Sequence, residues 1–449
     1  MEAFRHHVFV CSQQKPEGVT SCAAAGSARI FDTLNLELRK QGLDDDVQVT
    51  TCGCMGLCDH GPVMIVYPEG TWYRGVKTED VAEIVESHLH SGRPVARLVW
   101  NDAPAMKAAA LEHRDHVRAM MQARDRAGIM PDPLNDMIRG YMPSRAILTA
   151  LELDLFTAVG NGGSPEVVAA KANANPRATE MLLNSLVSLK LLEKKDGVFS
   201  NTPLSSRYFV EGSKDNARGG LLHTAHIWHR WSTLTDCVRA GTSVSQRGSD
   251  SSWTEAFIAA MDRNAKERAR HVVKAVAANG IRRILDLGGG SAAYSIAFVS
   301  ELPGAHADIL DLPDVVPLTR SYIGKAGLSG RITARAGSML TDPFGENYDL
   351  VLLNAICHMF SEEQNRAIFQ RACAALAPGG RLVVQDFILE ADKTAPQFAA
   401  LFSLNMLVGT QAGSSYSEPE YEQWMKAAGF AKVERVRLPG PSGLMIATR

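Results

Sequence analysis

The 449-residue chain lacks long apolar runs and carries almost no net charge. No apolar run approaches the ~18 residues that a membrane-spanning helix needs, so we expect no membrane partner. The first residues, MEAFRHHVFVCSQQ, lack the long apolar segment and cleavage site of a secretory signal peptide. The 47 Lys and Arg residues and the 49 Asp and Glu residues give a net charge of −2, which does not favour nucleic acid as a partner. These absences predict a cytoplasmic protein, and the length predicts about three domains.

Cysteine is also scarce, but it is concentrated near the start of the chain. Five of the eight cysteines lie within the first 58 residues, at positions 11, 22, 52, 54 and 58. Disulfides are rare in a reducing cytoplasm, and the C-x-x-C motif of a thioredoxin-type redox centre is absent. Cysteine thiolates hold iron–sulfur clusters. Zinc also accepts four cysteines, although its usual C-x2–4-C pairs differ from the spacing between Cys11 and Cys22. The residues therefore favour a metal centre over buried free thiols.

The first hundred residues alternate between strand and helix patterns. Short β-branched runs predict strands, and a segment with Ile30, Leu34 and Leu38 on one face predicts a helix that stops at Gly42. A hairpin around Gly70 and a further amphipathic helix follow. The predicted strands and hairpin lie at 6–11, 46–52 and 62–76, and the last helix at 78–90. This β-α-β-β-β-α order is compatible with a thioredoxin-like fold.

These cysteines and their surroundings carry a family resemblance. The spacings C-x10-C and C-x3-C, the Gly61-Pro62 pair and the sequence YPEGTWY resemble the thioredoxin-like [2Fe–2S] ferredoxins over about residues 5–95. The resemblance implies a first domain at 1–98 that binds a [2Fe–2S] cluster. The ligands that it implies are Cys11, Cys22, Cys54 and Cys58. Cys52 is left over, and whether Cys52 or Cys54 is the third ligand stays open.

The middle of the chain is rich in helix formers. A connecting helix is predicted within a linker at 99–133, which ends in the helix breakers Pro131 and Pro133. From 134 to 245, two helices joined by a turn precede a hairpin around Gly197, which is the order of a winged helix. The second of these helices lacks the basic stripe of a DNA-reading helix. We therefore expect a structural, dimerising domain and a homodimer, with no nucleic-acid partner.

The sequence from Ile281 to Val316 indicates a nucleotide-type site. It reads as a strand, the glycine turn GGGSA, a helix, and a second strand that ends in Asp311. Glycines allow close backbone approach to a ligand, and an acid in this place can accept ribose hydroxyls. The third glycine of G-x-G-x-x-G is missing, which disfavours NAD, whereas D-x-G-x-G is typical of S-adenosylmethionine (SAM) enzymes. Alternating strands and helices continue to the end, so we expect an α/β domain with a doubly wound sheet and an antiparallel finish.

A second resemblance covers about residues 134–449. LDLGGGSA, ILDLPDVV, a loop histidine before Ser-Glu-Glu, LAPGGRLVVQDF and AAGF resemble, in order, the O-methyltransferases with a winged-helix-type dimerisation domain, such as the caffeate and acetylserotonin types. This implies a Rossmann-like methyltransferase domain at 246–449 that transfers a methyl group from SAM to a hydroxyl. The SAM-binding residues that it implies are Asp286, Gly288, Gly290, Asp311, Ser338 and Met339.

The resemblance also implies the catalytic residues. His358, in the loop HMFSEEQ, matches the catalytic base, and Asp386 matches one of the two carboxylates that flank this base in plant members. The second carboxylate falls at Ser415, which is a departure from the family pattern. The expected acceptor is a small aromatic or polyketide- or quinone-like hydroxyl compound. Candidate substrate-lining residues are His223, His226, Trp228, Phe257, Met261 and Met406.

Several alternatives stay open at this point. Methyl transfer needs no electrons, because positioning supplies most of its rate enhancement. The cluster is therefore expected to have a redox, sensing or structural role, or to dock a redox partner protein. A SAM-binding redox or regulatory protein that does not methylate, or a C- or S-methyltransferase, would carry the same fold.

Overall fold

The computed structural model describes residues 4–15, 19–245, 251–276 and 280–449. The chain divides into two compact units, Met1–Tyr141 and Met142–Arg449. Among the described helices, none combines the length and the apolar composition that crossing a bilayer requires.

The first unit is built on a four-stranded sheet in the order β2-β1-β3-β4. Strand β1 runs parallel to β2 and antiparallel to β3, so that Val8 pairs with Val49 on one side and Val66 on the other. Helix α1 buries Ile30 and Leu34, and this confirms the predicted β-α-β-β-β-α order. The elements are β1 (His6–Cys11), α1 (Ser27–Gln41), β2 (Val47–Cys52), β3 (Met64–Tyr67), β4 (Thr71–Tyr73) and α2 (Val81–Glu83), the last continued by a π-helical segment (Ile84–His90).

Two further helices belong to the same unit, α3 (Ala103–Arg126) and α4 (Asp132–Arg139). The Asp102 side chain caps α3 by accepting a hydrogen bond from the Ala105 backbone N–H at 2.9 Å. Helix α3 packs Met106 and Ala110 against the buried cysteines. The helix predicted for the linker therefore exists, and it covers the cysteine-bearing loops.

The second unit begins with a helical region. Its buried core is formed by side chains such as Leu151, Phe156, Leu186 and Phe199. Helices α7 and α8 are followed by the two-stranded hairpin β5–β6, in the predicted order. The elements are α5 (Tyr141–Glu152), α6 (Leu155–Val159), α7 (Pro165–Lys171), α8 (Pro176–Ser188), β5 (Leu192–Lys195), β6 (Val198–Asn201), α9 (Pro203–Tyr208), α10 (Arg218–Trp231) and α11 (Leu234–Ala240).

A seven-stranded sheet in the order β12-β13-β11-β10-β7-β8-β9 forms the rest of this unit. Strand β13 pairs antiparallel with β11 and β12, whereas the pairs from β11 to β9 are parallel. The elements are α12 (Ser251–Val276), β7 (Arg283–Leu287), α13 (Ala293–Glu301), β8 (His306–Asp311), α14 (Val316–Lys325), β9 (Ile332–Ala336), β10 (Tyr348–Asn354), α15 (Glu362–Ala375), β11 (Leu376–Asp386), α16 (Gln397–Gly409), α17 (Glu418–Ala427), β12 (Lys432–Arg437) and β13 (Gly443–Thr448). The doubly wound sheet with an antiparallel finish is confirmed.

Both faces of this sheet are buried. Successive side chains of β10 point to opposite faces, so Leu350 packs with Phe298 on one side and Val351 packs with Phe369 on the other. In open sheets of this kind, ligands bind at the carboxyl ends of the parallel strands. At that edge the chain places the turn after β7, the end of β8, the turn after β10 and the end of β11.

Candidate active site and cysteine cluster

The glycine turn after β7 leaves space that side chains would fill. Gly288 has φ +70°, and a Cβ added to it would lie 3.0 Å from Met339 Cε and 3.2 Å from Ile356 Cγ1. The Gly288 backbone N–H donates to the Leu310 carbonyl at 2.9 Å, which holds the turn against β8. Gly290 has φ +56°. The turn therefore requires glycine for its conformation and, at Gly288, for the close approach of Met339.

Two carboxyl groups lie at this turn. Asp286 is 1% exposed, and its Oδ2 accepts a 2.7 Å hydrogen bond from Ser295 Oγ. Its Oδ1 is buried and has no hydrogen-bond partner in the described part of the chain. Burial raises the pKa of Asp286 to about 6, although the bond from Ser295 opposes this shift. A buried acceptor without a partner is costly, so the turn can receive a hydrogen-bond donor from a ligand.

Asp311, at the end of β8, is tied to the same turn. Its Oδ2 accepts from the Gly290 backbone N–H and its Oδ1 from the Leu312 backbone N–H, each at 2.7 Å. Burial raises its pKa, and these two bonds act in the opposite direction. A carboxylate offers about four lone-pair sites. Asp311 can therefore accept further hydrogen bonds, for example from two ribose hydroxyls.

The segment after β9 closes the other side of the turn. The Ser338 backbone N–H donates to Asp342 Oδ2 at 2.9 Å, and Met339 is 9% exposed. Arg371 donates to the Met339 carbonyl at 2.5 Å. These bonds hold the segment that places the Met339 side chain beside Gly288.

His358 and Asp386 form a buried pair at the ends of β10 and β11. His358 is 6% exposed and Asp386 is 2% exposed. His358 Nδ1 lies 2.7 Å from Asp386 Oδ1, and the His358 backbone N–H donates to Asp386 Oδ2 at 3.1 Å. The carboxylate also accepts from the Phe387 backbone N–H and from the Tyr421 hydroxyl, at 2.8 and 3.3 Å. Because these oxygens are acceptors, the Nδ1 proton faces Asp386, and in the neutral ring Nε2 holds the lone pair.

Aromatic side chains surround the imidazole. The ring of Phe402, on α16, meets the His358 ring edge to face at 4.9 Å between centroids. Phe387 stacks beside it at 6.2 Å. Met406 lies one turn after Phe402 on α16, so it shares the same face of that helix. Ser415, in place of the second carboxylate, is 3% exposed, and its Oγ has no partner within the described residues.

The other predicted substrate residues lie on α10 and α12. The rings of His223 and Phe257 meet edge to face at 5.2 Å, and burial lowers the pKa of His223. Trp228 lies under the guanidinium of Arg145 at 5.8 Å. Met261 is half-buried on α12, whereas His226 is exposed. The structure thus joins His223 with Phe257, while the exposure of His226 does not support a lining role.

Sequence reasoning missed three residues that hold the base. Phe402 and Tyr421 are distant in sequence from His358 and carry no motif. Gly413 approaches the base closely, because a Cβ there would lie 2.3 Å from the His358 carbonyl oxygen. Burial raises the pKa of the Tyr421 hydroxyl well above its ordinary value, so it remains a donor to Asp386. In the sequence, only the presence of a glycine in the stretch QAGSS could have indicated the close approach at Gly413.

The cysteines of the first unit form two neighbouring pairs. Cys54 Sγ lies 3.4 Å from Cys58 Sγ, and Cys11 and Cys22 are neighbours in the buried cluster that also contains Cys58. The interaction with the neighbouring Cys22 thiol lowers the pKa of Cys11 to about 5. Burial raises the pKa of Cys58 to about 11. Two cysteine pairs match the donor set of a [2Fe–2S] cluster, in which each iron takes two protein ligands.

The loop around these pairs is tightly packed. A Cβ added to Gly61 would lie 2.7 Å from Cys22 Sγ and 3.1 Å from the Cys58 carbonyl oxygen. Cys11, Cys22 and Cys58 are buried and Cys54 is exposed, while Cys52 is half-buried. Cys11, Cys22 and Cys58 thus share one buried cluster, Cys54 contacts Cys58, and Cys52 packs against the cluster.

Comparison with known proteins assigns these regions to families. Residues 3–89 match the thioredoxin-like [2Fe–2S] ferredoxin family, residues 135–211 the O-methyltransferase dimerisation domain, and residues 234–431 the O-methyltransferase domain. 3-Hydroxy-5-methyl-1-naphthoate 3-O-methyltransferase of Streptomyces sahachiroi is 32% identical over 327 residues, which are 70% of this chain and 94% of that protein. Acetylserotonin O-methyltransferase of Bos taurus is 31% identical over 340 residues, which are 70% of this chain and 97% of that protein.

A solved structure agrees with these relatives. Human N-acetylserotonin methyltransferase in complex with SAM has a TM-score of 0.64 at 26% identity, covering 71% of this chain and 97% of that one. The fold and the glycine-turn site thus define a SAM-dependent methyltransferase. The chain belongs to the O-methyltransferase family and carries, before its dimerisation domain, a thioredoxin-like [2Fe–2S] ferredoxin domain. The predicted families, fold class and enzyme class are confirmed.

Asp286 should make the stability of the second unit depend on pH. Its pKa rises from 3.8 to about 6 on folding. Protonation of Asp286 therefore stabilises the folded state fully below pH 3.8, and this stabilisation is lost as the pH rises through about 6. Asp286→Asn removes the buried charge. Without added SAM, the variant should therefore exceed the wild type in unfolding free energy by up to about 3 kcal/mol near pH 7.5, and by much less near pH 4.5. Urea unfolding of both proteins at both pH values measures this. A variant-minus-wild-type difference that is the same at both would contradict the assignment.

Proposed function

We propose that this O-methyltransferase methylates a hydroxyl of a small aromatic acceptor of polyketide or quinone-like type, with His358 as general base. The observation that carries the proposal is the 2.7 Å hydrogen bond between His358 Nδ1 and Asp386 Oδ1. It holds the Nδ1 proton on the Asp386 side, so that Nε2 of the neutral ring is the atom that accepts a hydroxyl proton. Because Ser415 stands where plant members have a second carboxylate, Asp386 alone orients the imidazole by charge.

The surroundings of the base support an aromatic acceptor. Phe387 and Phe402 flank the imidazole, and aromatic side chains favour stacked or edge-to-face contact with another ring. The relatives named above are, by their names, O-methyltransferases of a hydroxynaphthoate and of acetylserotonin. We assign Phe257, Met261 and Met406 to the wall of the acceptor pocket.

The residues at the glycine turn fit SAM. When bound, SAM supplies a methyl group on a positively charged sulfur, which an acceptor oxygen can attack with release of S-adenosylhomocysteine. Asp311 would accept the ribose hydroxyls, the turn from Gly288 to Gly290 would lie along the ligand, and Ser338 and Met339 would border the adenine. The unpaired, buried Oδ1 of Asp286 supports a donor from the ligand at this point.

His358→Ala tests the base directly. With a phenolic acceptor at neutral pH, we expect turnover to fall about 10²–10⁴-fold, the usual value of positioned proton transfer. SAM affinity should stay unchanged, because His358 lies outside the glycine turn. Steady-state kinetics with labelled SAM and calorimetry measure the two effects. The loss should shrink at high pH, since an ionised acceptor needs no base.

The matched control is His306→Ala, an exposed histidine at the opposite, amino-terminal end of β8, which should keep full turnover. Asp386→Asn should give a smaller loss than His358→Ala if it acts by orienting the ring. Full activity of His358→Ala at neutral pH would refute His358 as the base. It would instead favour a carbon or thiolate acceptor, or a protein that does not methylate.

A homodimer formed through the helical region is the second part of the proposal. We place this winged-helix-type domain at 134–245. Its first residues, on α4 and at the start of α5, lie at the end of the first compact unit and expose large apolar side chains. Met137 on α4 is 71% exposed, and Ile138 and Tyr141 are 56% and 57% exposed. Neighbouring exposed apolar residues of this kind mark association surfaces, and the matched dimerisation model includes them.

Ile138→Lys tests this surface. A lysine buried in an interface would lose its hydration, so we expect the dimer dissociation constant to rise about tenfold or more, equivalent to at least ~1.4 kcal/mol. Sedimentation equilibrium over a range of concentrations measures it. Leu36→Lys, on α1 and similarly exposed at 55%, should keep the wild-type constant. A monomeric wild type, or equal constants for both variants, would contradict the proposed interface.

The third part concerns the first unit, which we propose at 1–98 with a linker at 99–133. The paired cysteines fit a [2Fe–2S] cluster held by Cys11, Cys22, Cys54 and Cys58. Bound there, the cluster would supply one-electron chemistry that methyl transfer does not need, so we assign it a redox-sensing or partner-docking role. All eight cysteines are free, in keeping with the reducing cytoplasm that we propose as its location.

Gly61→Ala tests the cluster site. The added Cβ would press on Cys22 Sγ at 2.7 Å and on the Cys58 carbonyl, so we expect the anaerobically purified variant to lose most of its iron. Gly53→Ala, in the same loop, is the matched control and should keep its iron, because its Cβ would have Gln13 Oε1 as nearest neighbour, at 3.9 Å. Iron and sulfide analysis measures both. Equal iron contents would contradict the proposed packing, and stoichiometric zinc would contradict the cluster.

A further inference from the structure

A histidine outside the matched ferredoxin region faces the pair formed by Cys54 and Cys58. His113 lies on α3, beyond residues 3–89, and is 3% exposed. One ring nitrogen of His113 and the sulfurs of Cys54 and Cys58 all lie within 4.8 Å of one another. Helix α3 holds it there, because Met106 and Ala110 of the same helix pack on the cysteine loops.

The hydrogen bonds of His113 fix which nitrogen is available. Nδ1 lies 2.7 Å from Asp59 Oδ2, and Nε2 contacts the Lys15 ammonium. A carboxylate accepts and an ammonium donates, so Nδ1 carries the proton and Nε2 presents its lone pair. A carboxylate bound to one ring nitrogen while the other keeps a lone pair is the usual arrangement of a metal-ligating histidine.

Cys54 is the ligand position most open to replacement. It is exposed, whereas Cys11, Cys22 and Cys58 are buried. Cys54 and His113 line the same cavity of about 400 Å³, together with Lys107. Cys54 is therefore the thiol that solvent reaches, and His113 is the donor beside it.

We propose that His113 is a reserve ligand of the iron held by Cys54 and Cys58, and that its Nε2 takes the position of Cys54 when that thiolate is lost. This inference rests on the proposed cluster. Nε2 would give up its contact with Lys15 and bond to iron in place of the broken Fe–Sγ bond of Cys54, with no electron transferred. The ligand set becomes three thiolates and one neutral imidazole, a type of mixed ligation that iron–sulfur centres accept.

The test uses the full chain, reconstituted anaerobically with iron and sulfide. Cys52→Ser is the parent in every variant, so that Cys52 cannot substitute. The parent should bind about two irons per chain. Adding Cys54→Ser should leave most of that iron in place, and pulsed EPR of the reduced cluster should then show a strong histidine-nitrogen coupling that the parent lacks. Adding His113→Ala to this variant should remove the iron.

Two controls separate ligation from folding. Cys22→Ser in the same parent should lose the cluster although His113 is present, because His113 faces the other cysteine pair. His113→Ala with Cys54 intact should keep its iron. The inference is overturned if Cys54→Ser is as empty as Cys22→Ser, or keeps iron without nitrogen coupling. A parent that binds no iron would instead refute the proposed ligand set, in which Cys52 takes no part.

Discussion

The hydrogen bond between His358 and Asp386 is the constraint on which the catalytic unit depends. A buried carboxylate is costly unless its oxygens are hydrogen-bonded. Asp386 meets this requirement with donors from the turn after β10, from the residue that follows β11, and from α17. These three elements can converge only if β10 and β11 are neighbours, and the sheet order makes them so. The base, its orienting acid and the local sheet order therefore support one another.

The same sheet order brings the cofactor turn to the base. Strand β7 pairs with β10 on the side away from β11, so the turn carrying Gly288 opens at the same edge as His358. Ile356, two residues before the base, is a neighbour of Gly288. The acid of the turn, Asp286, is destabilising when ionised in the folded chain, because burial raises its pKa. Buried polar groups that cost stability are typical of functional sites.

The sequence allowed the local patterns to be predicted well and the long-range contacts poorly. Glycine spacing identified the turn at Gly288, and the loop before Ser361 identified His358, because both depend on neighbouring residues. The four cysteines proposed as ligands were predicted from the family resemblance, and their arrangement in two pairs was not. Phe402 and Tyr421 were not predicted, because an aromatic residue on a helix gives the same sequence pattern whether its ring packs in the core or against a catalytic imidazole.

Helix α3 makes a contact that its composition does not predict. Its alanines and charged residues predict a helix, and nothing in them indicates that His113 meets Asp59, 54 positions earlier. Helix α3 also packs Met106 and Ala110 against the cluster that contains Cys11, Cys22 and Cys58. A segment between two families thus contributes to the site of the first.

The proton position on His358 tests the central claim most directly. Long-range nitrogen–proton correlation spectra of protein labelled with ¹⁵N-histidine, compared with the His358→Ala spectrum, identify its signals. Fixed by Asp386, His358 is predicted to show a protonated Nδ1 and an unprotonated Nε2 at the pH of turnover. Asp386→Asn should disturb this pattern. A proton on Nε2, with Nδ1 unprotonated, would contradict the assignment of His358 as the base that accepts the hydroxyl proton.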